Sequence, residues 1–232
     1  MSDSALIAAL QKITTATLTT VLLKKGIRRS WMKGPKMLAP GQARIAGRAF
    51  TLRFVPMRED LATPASWASP RSTRAAIEEM PAGCIAVIDA MGVTEGGVFG
   101  DILAQRMAVR KVAGLVTDGV MRDVAGVLET GLPVWCQGAA APASVAGLTF
   151  VGWQEPIGCG GCAIFPGDMI VADGDGAVVI PAALAEEVAK LGAEQEELEA
   201  WLMDEVKAGR ALPGLYPPNE ETLARYAARK RR

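Results

Sequence analysis

The amino-acid sequence predicts an α/β fold. Three observations carry that expectation. Cys84-Ile85-Ala86-Val87-Ile88-Asp89 is a continuous apolar run ending in an acid, the mark of a strand buried on both faces. Further short apolar runs follow at 115–117 and 133–136. Between them lie segments of helical periodicity. Strand, helix, strand, helix, strand in that order makes a parallel layer. The 232 residues, half of them hydrophobic, suffice for one domain with a large core. The expected organisation is a single domain over 1–232, with a core of about 14–190 and a C-terminal helical extension over about 182–232.

Each element follows from its own residues. Residues 4–25 read as helical, with Leu6, Leu10, Leu18, Val21, Leu22 and Leu23 as apolar faces and Gly26 as a stop; Thr14 and Thr15 can split the segment in two. Residues 27–48, rich in Gly, Pro and basic side chains, read as loop. Ala49–Val55 alternates as a strand. Residues 56–70, with Pro56, Pro64 and Pro70, read as a surface loop, and 71–80 as a short helix. The four glycines within 91–100 require a loop. Asp101 stands where an N-cap or first-turn acid belongs. The helix after it pairs Leu103 with Met107 and is expected to end at Gly114. Leu115–Thr117 is a short strand, turned by Asp118-Gly119. Residues 122–130 begin another helix, ended by Gly131, and Pro133–Cys136 is the next strand. Leu148–Trp153 reads as a strand. Asp173-Gly174-Asp175-Gly176 between Met169–Ala172 and Ala177–Ile180 is a hairpin signal. A long helix is expected over Ala182–Lys207, with Leu184, Val188, Leu191, Leu198 and Leu202 on its apolar side and a solvated acidic face.

Composition excludes several function classes. Formal net charge is zero, so no global field invites nucleic acid. No apolar run reaches the roughly 18 residues needed to span a membrane. The start, Met1-Ser2-Asp3-Ser4, lacks the basic residues and apolar stretch of a signal peptide, and the expected location is cytoplasmic. Cys84, Cys136, Cys159 and Cys162 form no disulfide framework, and Cys159-Gly160-Gly161-Cys162 runs into strand and turn rather than opening a helix, so buried structural thiols are expected. The basic end, Arg229-Lys230-Arg231-Arg232, reads as a solvated terminus. The chain contains no histidine, which rules out Ser-His-Asp and Cys-His catalysis.

The chemistry-bearing residues cluster instead at two helix starts. Twenty residues separate Asp101 from the adjacent pair Arg122-Asp123, a spacing that spans a helix and a strand. In a parallel layer the C-terminal ends of the strands share one side, and ligands bind there. Two carboxylates can hold a hard divalent cation and a guanidinium an anionic substrate. Backbone amides of Ile102 and Leu103, in the first turn, can bind a carboxylate. Taken one at a time, the same residues also read as an ordinary capped helix and a surface ion pair. The glycines before Asp101 fit neither a P-loop nor a dinucleotide fingerprint.

Gly100-Asp101 followed by Arg122-Asp123 resembles the RraA-like proteins, which include the divalent-metal-dependent 4-hydroxy-4-methyl-2-oxoglutarate aldolases. The similarity continues through Ile157-Gly158-Cys159-Gly160-Gly161, Pro166-Gly167-Asp168 and Ala172–Pro181. It covers most of 83–190 and, more loosely, the helix around Thr14 to Gly26. The resemblance implies a swivelling β/β/α domain, central β-structure flanked by helices, here with a long C-terminal helical extension. It implies homotrimers or homohexamers with active sites at subunit interfaces. It implies Asp123 as the direct ligand of Mg²⁺ or Mn²⁺ and Asp101 as a ligand through water. Arg122 would bind the substrate's carboxylate and keto oxygen, with Gly100 and the amides of Ile102 and Leu103 beside it. An acidic residue from the next subunit's C-terminal region is also implied, with Glu197 and Glu199 as candidates.

The expected function is therefore a divalent-metal-dependent lyase, of aldolase or oxaloacetate decarboxylase type, that cleaves a 4-hydroxy-2-oxo acid to pyruvate through an enolate. Two alternatives stand beside it: a dehydratase or hydrolase of a 2-keto-3-deoxy sugar acid, and a regulator that binds a ribonuclease. Arg28, Arg29, Lys33, Arg53, Arg58, Arg71 and Arg74 are further candidates to line the pocket.

Overall fold

The computed structural model describes residues 1–229, and the last three residues of the basic end lie outside them. Two short helices open the chain, α1 (Asp3–Leu10) and α2 (Thr15–Lys24). Thr14 separates them because its hydroxyl accepts the Thr17 amide as an N-cap. Strand β1 (Lys36–Met37) precedes β2 (Ile45–Pro56). The strand expected from Ala49 thus starts earlier, and residues 27–48 are not all loop. Ile45–Arg48 extend because they pair antiparallel with a strand about 125 residues later, which no local signal announces.

A 3₁₀ turn at Pro64–Ala68 interrupts the proline-rich segment, and α3 (Thr73–Glu79) follows. Then come β3 (Ile85–Asp89), α4 (Asp101–Val109), β4 (Gly114–Thr117), α5 (Val124–Glu129) and β5 (Val134–Cys136). The helix from Asp101 ends before Gly114: Arg110 is its C-cap, Lys111 takes the left-handed conformation at φ 61°, and Gly114 opens β4. The second half holds β6 (Leu148–Trp153), the hairpin β7 (Met169–Asp173) and β8 (Gly176–Ile180), the long helix α6 (Ala185–Lys207) and α7 (Glu220–Arg229). Helix α7 falls within the helical extension expected over about 182–232, which the sequence reading gave no separate second helix, and it sits with α6 on a small cluster of Trp201, Leu202, Leu215 and Tyr226.

The strand order is β1-β5-β4-β3-β2-β7-β8, with β6 also paired to β2. Strands β2 to β5 run parallel, as expected, while β6, β7 and β8 pair antiparallel. Strand β2 is long enough to serve both halves. Its start pairs β7, its middle β3 and its end β6. An antiparallel bridge from Trp31 to Val178 brings the chain just before β1 onto β8, so the sheet nearly closes on itself.

Side-chain alternation sorts the core into three layers. Ile85 and Val87 of β3, Val116 of β4, Trp135 of β5, Ile170 of β7 and Val179 of β8 fill the inside of the ring. Ala86, Ile88, Leu115 and Val134 point the other way, under α3, α4 and α5. Met169, Val171, Val178 and Ile180 meet α1, α2 and the start of α6. Central β-structure flanked by helices, with a long C-terminal helix, is what the chain adopts. No single helix among the described residues is long and apolar enough to cross a membrane.

Helix α6 departs from its expected faces. Leu191 is 36% exposed, while Val188, Ala189 and Gly192 are buried, because α6 packs flat on α1, α2 and the Ile13 side chain between them. Its acidic face is not all solvated either. Glu196 accepts hydrogen bonds from the Thr14 amide at 2.7 Å and hydroxyl at 2.8 Å, anchoring α6 to the start of α2.

Candidate functional site

Helices α4 and α5 each follow a parallel strand, so both begin at the same edge of the sheet. The loop after β3 crosses the loop after β4 there. Val98 donates its amide to the Val120 carbonyl and Arg122 donates its amide to the Phe99 carbonyl, at 2.8 and 3.0 Å. This crossing places Gly100, Asp101, Ile102, Leu103, Arg122 and Asp123 around one cavity of about 200 Å³. All six residues expected at the two helix starts line it. The volume lies below the roughly 300 Å³ at which pockets for drug-sized ligands begin, so it fits a small metabolite.

Asp123 is the N-cap residue of α5, in the left-handed region at φ 52° and ψ 43°, and its carbonyl accepts the Val127 amide. Its side chain makes no capping hydrogen bond. The carboxylate is turned instead to Arg122, whose Nε donates to Oδ2 at 3.0 Å, and nearly half of that side chain stays exposed. Aspartate tolerates the left-handed backbone better than most residues, and such conformations cluster at functional sites. Asp123 Oδ2 lies 2.6 Å from where a Cβ on residue 100 would stand, so glycine at 100 makes room for this carboxylate.

Asp101 is the first residue of α4 and Gly100 its N-cap. Asp101 Oδ1 accepts the Ile102 amide at 2.7 Å. That is a correction: the Ile102 amide is occupied by Asp101 and is not offered to a ligand, whereas the Leu103 amide, in the first turn, has no helical carbonyl to bond. The Asp101 side chain packs against Gly126 of α5, where a Cβ would come within 2.8 Å. The two helix starts therefore interlock, each carboxylate seated against a glycine of the other helix or its cap.

At the ends of β3 and β4, two buried aspartates tie the loops down. Asp118 accepts the amides of Ala90 and Gly160, and Asp89 accepts those of Met91 and Gly158. Burial, with neighbouring Asp89, outweighs those amides and raises the Asp118 pKa. The Cys159–Cys162 turn thus braces the loops after β3 and β4 without itself lining the cavity. Its thiols are inert: burial pushes Cys162 up to about 11 and Cys159 well above the ordinary thiol value. All four cysteines are buried and free, as expected.

The rest of the cavity wall includes Arg74, one of the further basic candidates, and Trp67, Thr73, Ala143 and Ser144, which the sequence did not assign. Of the seven additional basic candidates, Arg74 alone lines this cavity. Arg28 and Arg53 line other clefts, Arg58 pairs with Asp60, and Arg71 with Glu155. Glu197 and Glu199 lie on α6 and do not line it.

Comparison with known proteins gives this arrangement a family. The RraA-like family profile, described as Aldolase/RraA, matches residues 15–179. The chain belongs to the RraA-like family. A protein of Halalkalibacterium halodurans, provisionally named as a 4-hydroxy-4-methyl-2-oxoglutarate aldolase, is 37% identical over 141 residues, covering 59% of this chain and 66% of that one. A 4-hydroxy-4-methyl-2-oxoglutarate aldolase of Thermus thermophilus is 30% identical over 142 residues, 61% of this chain and 78% of that one. Streptomyces coelicolor RraAS2, described as an unusual member of the RNase ES inhibitor RraA protein family, superimposes with a TM-score of 0.77 at 36% identity, covering 86% of this chain and 96% of that one. The RraA-like match spans the whole cavity edge from α2 to β8, whereas α6 and α7 lie outside it.

Proposed function

We propose that this RraA-like chain is a divalent-metal-dependent lyase that cleaves a 4-hydroxy-2-oxo acid to pyruvate, and that decarboxylates oxaloacetate by the same chemistry. One observation carries the reading: Asp101, Arg122 and Asp123 meet at one small cavity without a capping role for the Asp123 carboxylate. A surface ion pair kept only for stability would not need a glycine to clear its path. Relatives named as aldolases support a lyase over other chemistries.

The donor set fits a hard cation. It offers carboxylate oxygens and no histidine, and no cluster of three or more ligating side chains exists among the described residues. Mg²⁺ keeps several waters and takes one or two carboxylates, which matches Asp123 as direct ligand and Asp101 as ligand through water; Mn²⁺ suits the same oxygens. When bound, the cation supplies electron withdrawal from the 2-oxo group.

The chain's own residues do the rest. Arg122, braced by Asp123, presents the remaining edge of its guanidinium to the substrate's carboxylate and keto oxygen. As the C3–C4 bond breaks, charge grows on that keto oxygen, and a fixed cation there favours the enolate over the ground state. The Leu103 amide adds a donor at the same end, beside Gly100. Asp101, held by the Ile102 amide, positions a water that takes the C4 hydroxyl proton and returns one to C3 of the enolate. Glu197 or Glu199 would join from a neighbouring copy in a homotrimer or homohexamer.

The test is pyruvate release from oxaloacetate and from 4-hydroxy-2-oxo acids, with Mg²⁺, with Mn²⁺ and with chelator. Chelator-sensitive turnover above that of the free ion is expected. No turnover of any of them sinks the lyase. The likeness to RraAS2 favours one second reading, a protein-binding regulator of a ribonuclease. Inhibition of a ribonuclease by a chain that turns over no 2-oxo acid would put that reading first.

A further inference from the structure

The far wall of the cavity has its own chemistry. Arg74 stands in the first turn of α3, with its guanidinium carbon 5.0 Å from the centre of the Trp67 ring. Stacking on an aromatic face fixes the plane of a guanidinium and leaves its N–H edges for a ligand. Trp67 comes from the 3₁₀ turn of the proline-rich segment, and it is half-buried. Thr73 Oγ1 accepts a long hydrogen bond from Arg74 Nη1 at 3.4 Å, and Thr73 itself is buried.

What sets Arg74 apart is its lack of an acidic partner. The neighbouring arginines are all committed: Arg71 to Glu155, Arg106 and Arg110 to Glu78, Arg122 to Asp123. Among the described residues no carboxylate lies within ion-pair distance of Arg74. Burial lowers its pKa from the ordinary value without removing its charge. It therefore lines the cavity as an uncompensated cation, together with the two carboxylates and Arg122.

We infer that Arg74, held flat by Trp67, is the specificity-determining residue that reads a second anionic group at the far end of the substrate, so the chain selects dianionic over monoanionic 2-oxo acids. The inference rests on the 2-oxo acid reading of the same cavity. Arg122 takes the reacting end and Arg74 the distal carboxylate. Thr73 and Ser144, which line the same wall, have hydroxyls suited to a C4 substituent.

Binding and turnover separate this inference from the lyase itself. Wild type, Arg74→Gln and Arg74→Lys are titrated calorimetrically, in Mg²⁺ buffer, with 2-oxoglutarate and with 2-oxopentanoate, which are equal in length but differ in the distal carboxylate. Turnover of a dianionic and a monoanionic 4-hydroxy-2-oxo acid is followed in parallel. Wild type is expected to bind 2-oxoglutarate the more tightly. Arg74→Gln should lose about 10- to 100-fold for it and almost nothing for 2-oxopentanoate. Arg74→Lys should recover part of the loss, since a point charge remains but not the fork. Turnover should show the same pattern in KM with kcat little changed. Discrimination that survives in Arg74→Gln, equal losses for both acids, or a wild type that binds the two alike or binds neither would overturn the inference. Selective binding lost in Arg74→Gln, with no pyruvate from any acid, would uphold the subsite and sink the lyase.

Discussion

Two groups of aspartates, one at the ends of the hairpin strand β7 and one at the starts of α4 and α5, differ in how fully they are satisfied. Asp173, at the end of β7, accepts the Thr15 amide and hydroxyl, the Asp175 amide and Arg44 Nε. Asp168 accepts the amides of Phe165 and Ala182. These carboxylates are buried, and they fasten the hairpin to α2 and to the start of α6. Asp101 and Asp123, at the other edge of the sheet, have a single local hydrogen bond each and open onto a cavity. A carboxylate whose lone pairs are filled by the fold holds the fold, while one left half-satisfied beside a cavity has capacity for a ligand.

Substitutions at the two edges should therefore separate activity from stability. The largest effect is expected for Asp123→Ala, which should lower metal-dependent pyruvate release by about 10²- to 10³-fold. Asp123 is exposed, so the stability cost should be confined to the left-handed backbone at this position, on the order of 1 kcal/mol for alanine. Asp123→Asn, which tolerates that backbone, should lose the same activity with its thermal midpoint hardly moved. Retained metal-dependent turnover would break the assignment of the cavity edge. Arg122→Lys comes next, at roughly 10²-fold in kcat/KM, since an ammonium cannot replace the bidentate fork. A nearly wild-type kcat/KM would show that charge alone suffices there.

Asp173→Ala should do the reverse. It leaves the Thr15 amide without its partner, so a loss of about 3 kcal/mol in unfolding free energy is expected, with specific activity of the folded fraction unchanged. The pH dependence sharpens the point. Burial alone would raise the Asp173 pKa, but the Thr15 and Asp175 hydrogen bonds and Arg44 together hold it below 3.8. Its contribution is thus fully present above pH 3.8 and lost as pH falls through the folded-state value. Denaturation followed from about pH 6 down to about pH 2 should show wild type losing stability more steeply than Asp173→Ala over that acid range. Parallel curves would mean that Asp173 is not the anchor described. The smallest effect is expected for Gly100→Ala. Its Cβ must displace Asp123 Oδ2, and about a tenfold fall in kcat is expected with normal binding of the substrate. An unaltered kcat would show that the carboxylate can shift without cost.

Much of the fold was legible because its signals are local. The buried run at 85–89, the hairpin around Gly174-Asp175 and the Thr14 break each lie within a window of a few residues, and the structure places them as expected. Asp101 and Arg122-Asp123 were legible for the same reason. Alternating strands and helices put helix starts on one edge, and the charged residues occupied those starts. Apart from the end of α4, which Lys111 rather than Gly114 terminates, the misreadings are long-range. Ile45–Arg48 become strand only by meeting β7, Leu191 is exposed only because α6 lies on Ile13, and Ile102 loses its amide to the rotamer that Gly126 allows Asp101.

By itself, the sequence determined the α/β alternation, the absence of histidine chemistry and the carboxylate–guanidinium set at two helix starts. Periodicity, capping and residue inventory are properties of short stretches, so they can be read without the fold. Only the tertiary structure decided that β2 joins both halves of a nearly closed sheet, that Trp67 and Arg74 from the proline-rich segment and the helix after it complete the cavity, and which carboxylates are already filled. Those facts depend on which distant segments pack together. Contact between residues far apart in the chain is fixed by the burial of all the layers at once, and no single stretch of sequence carries it.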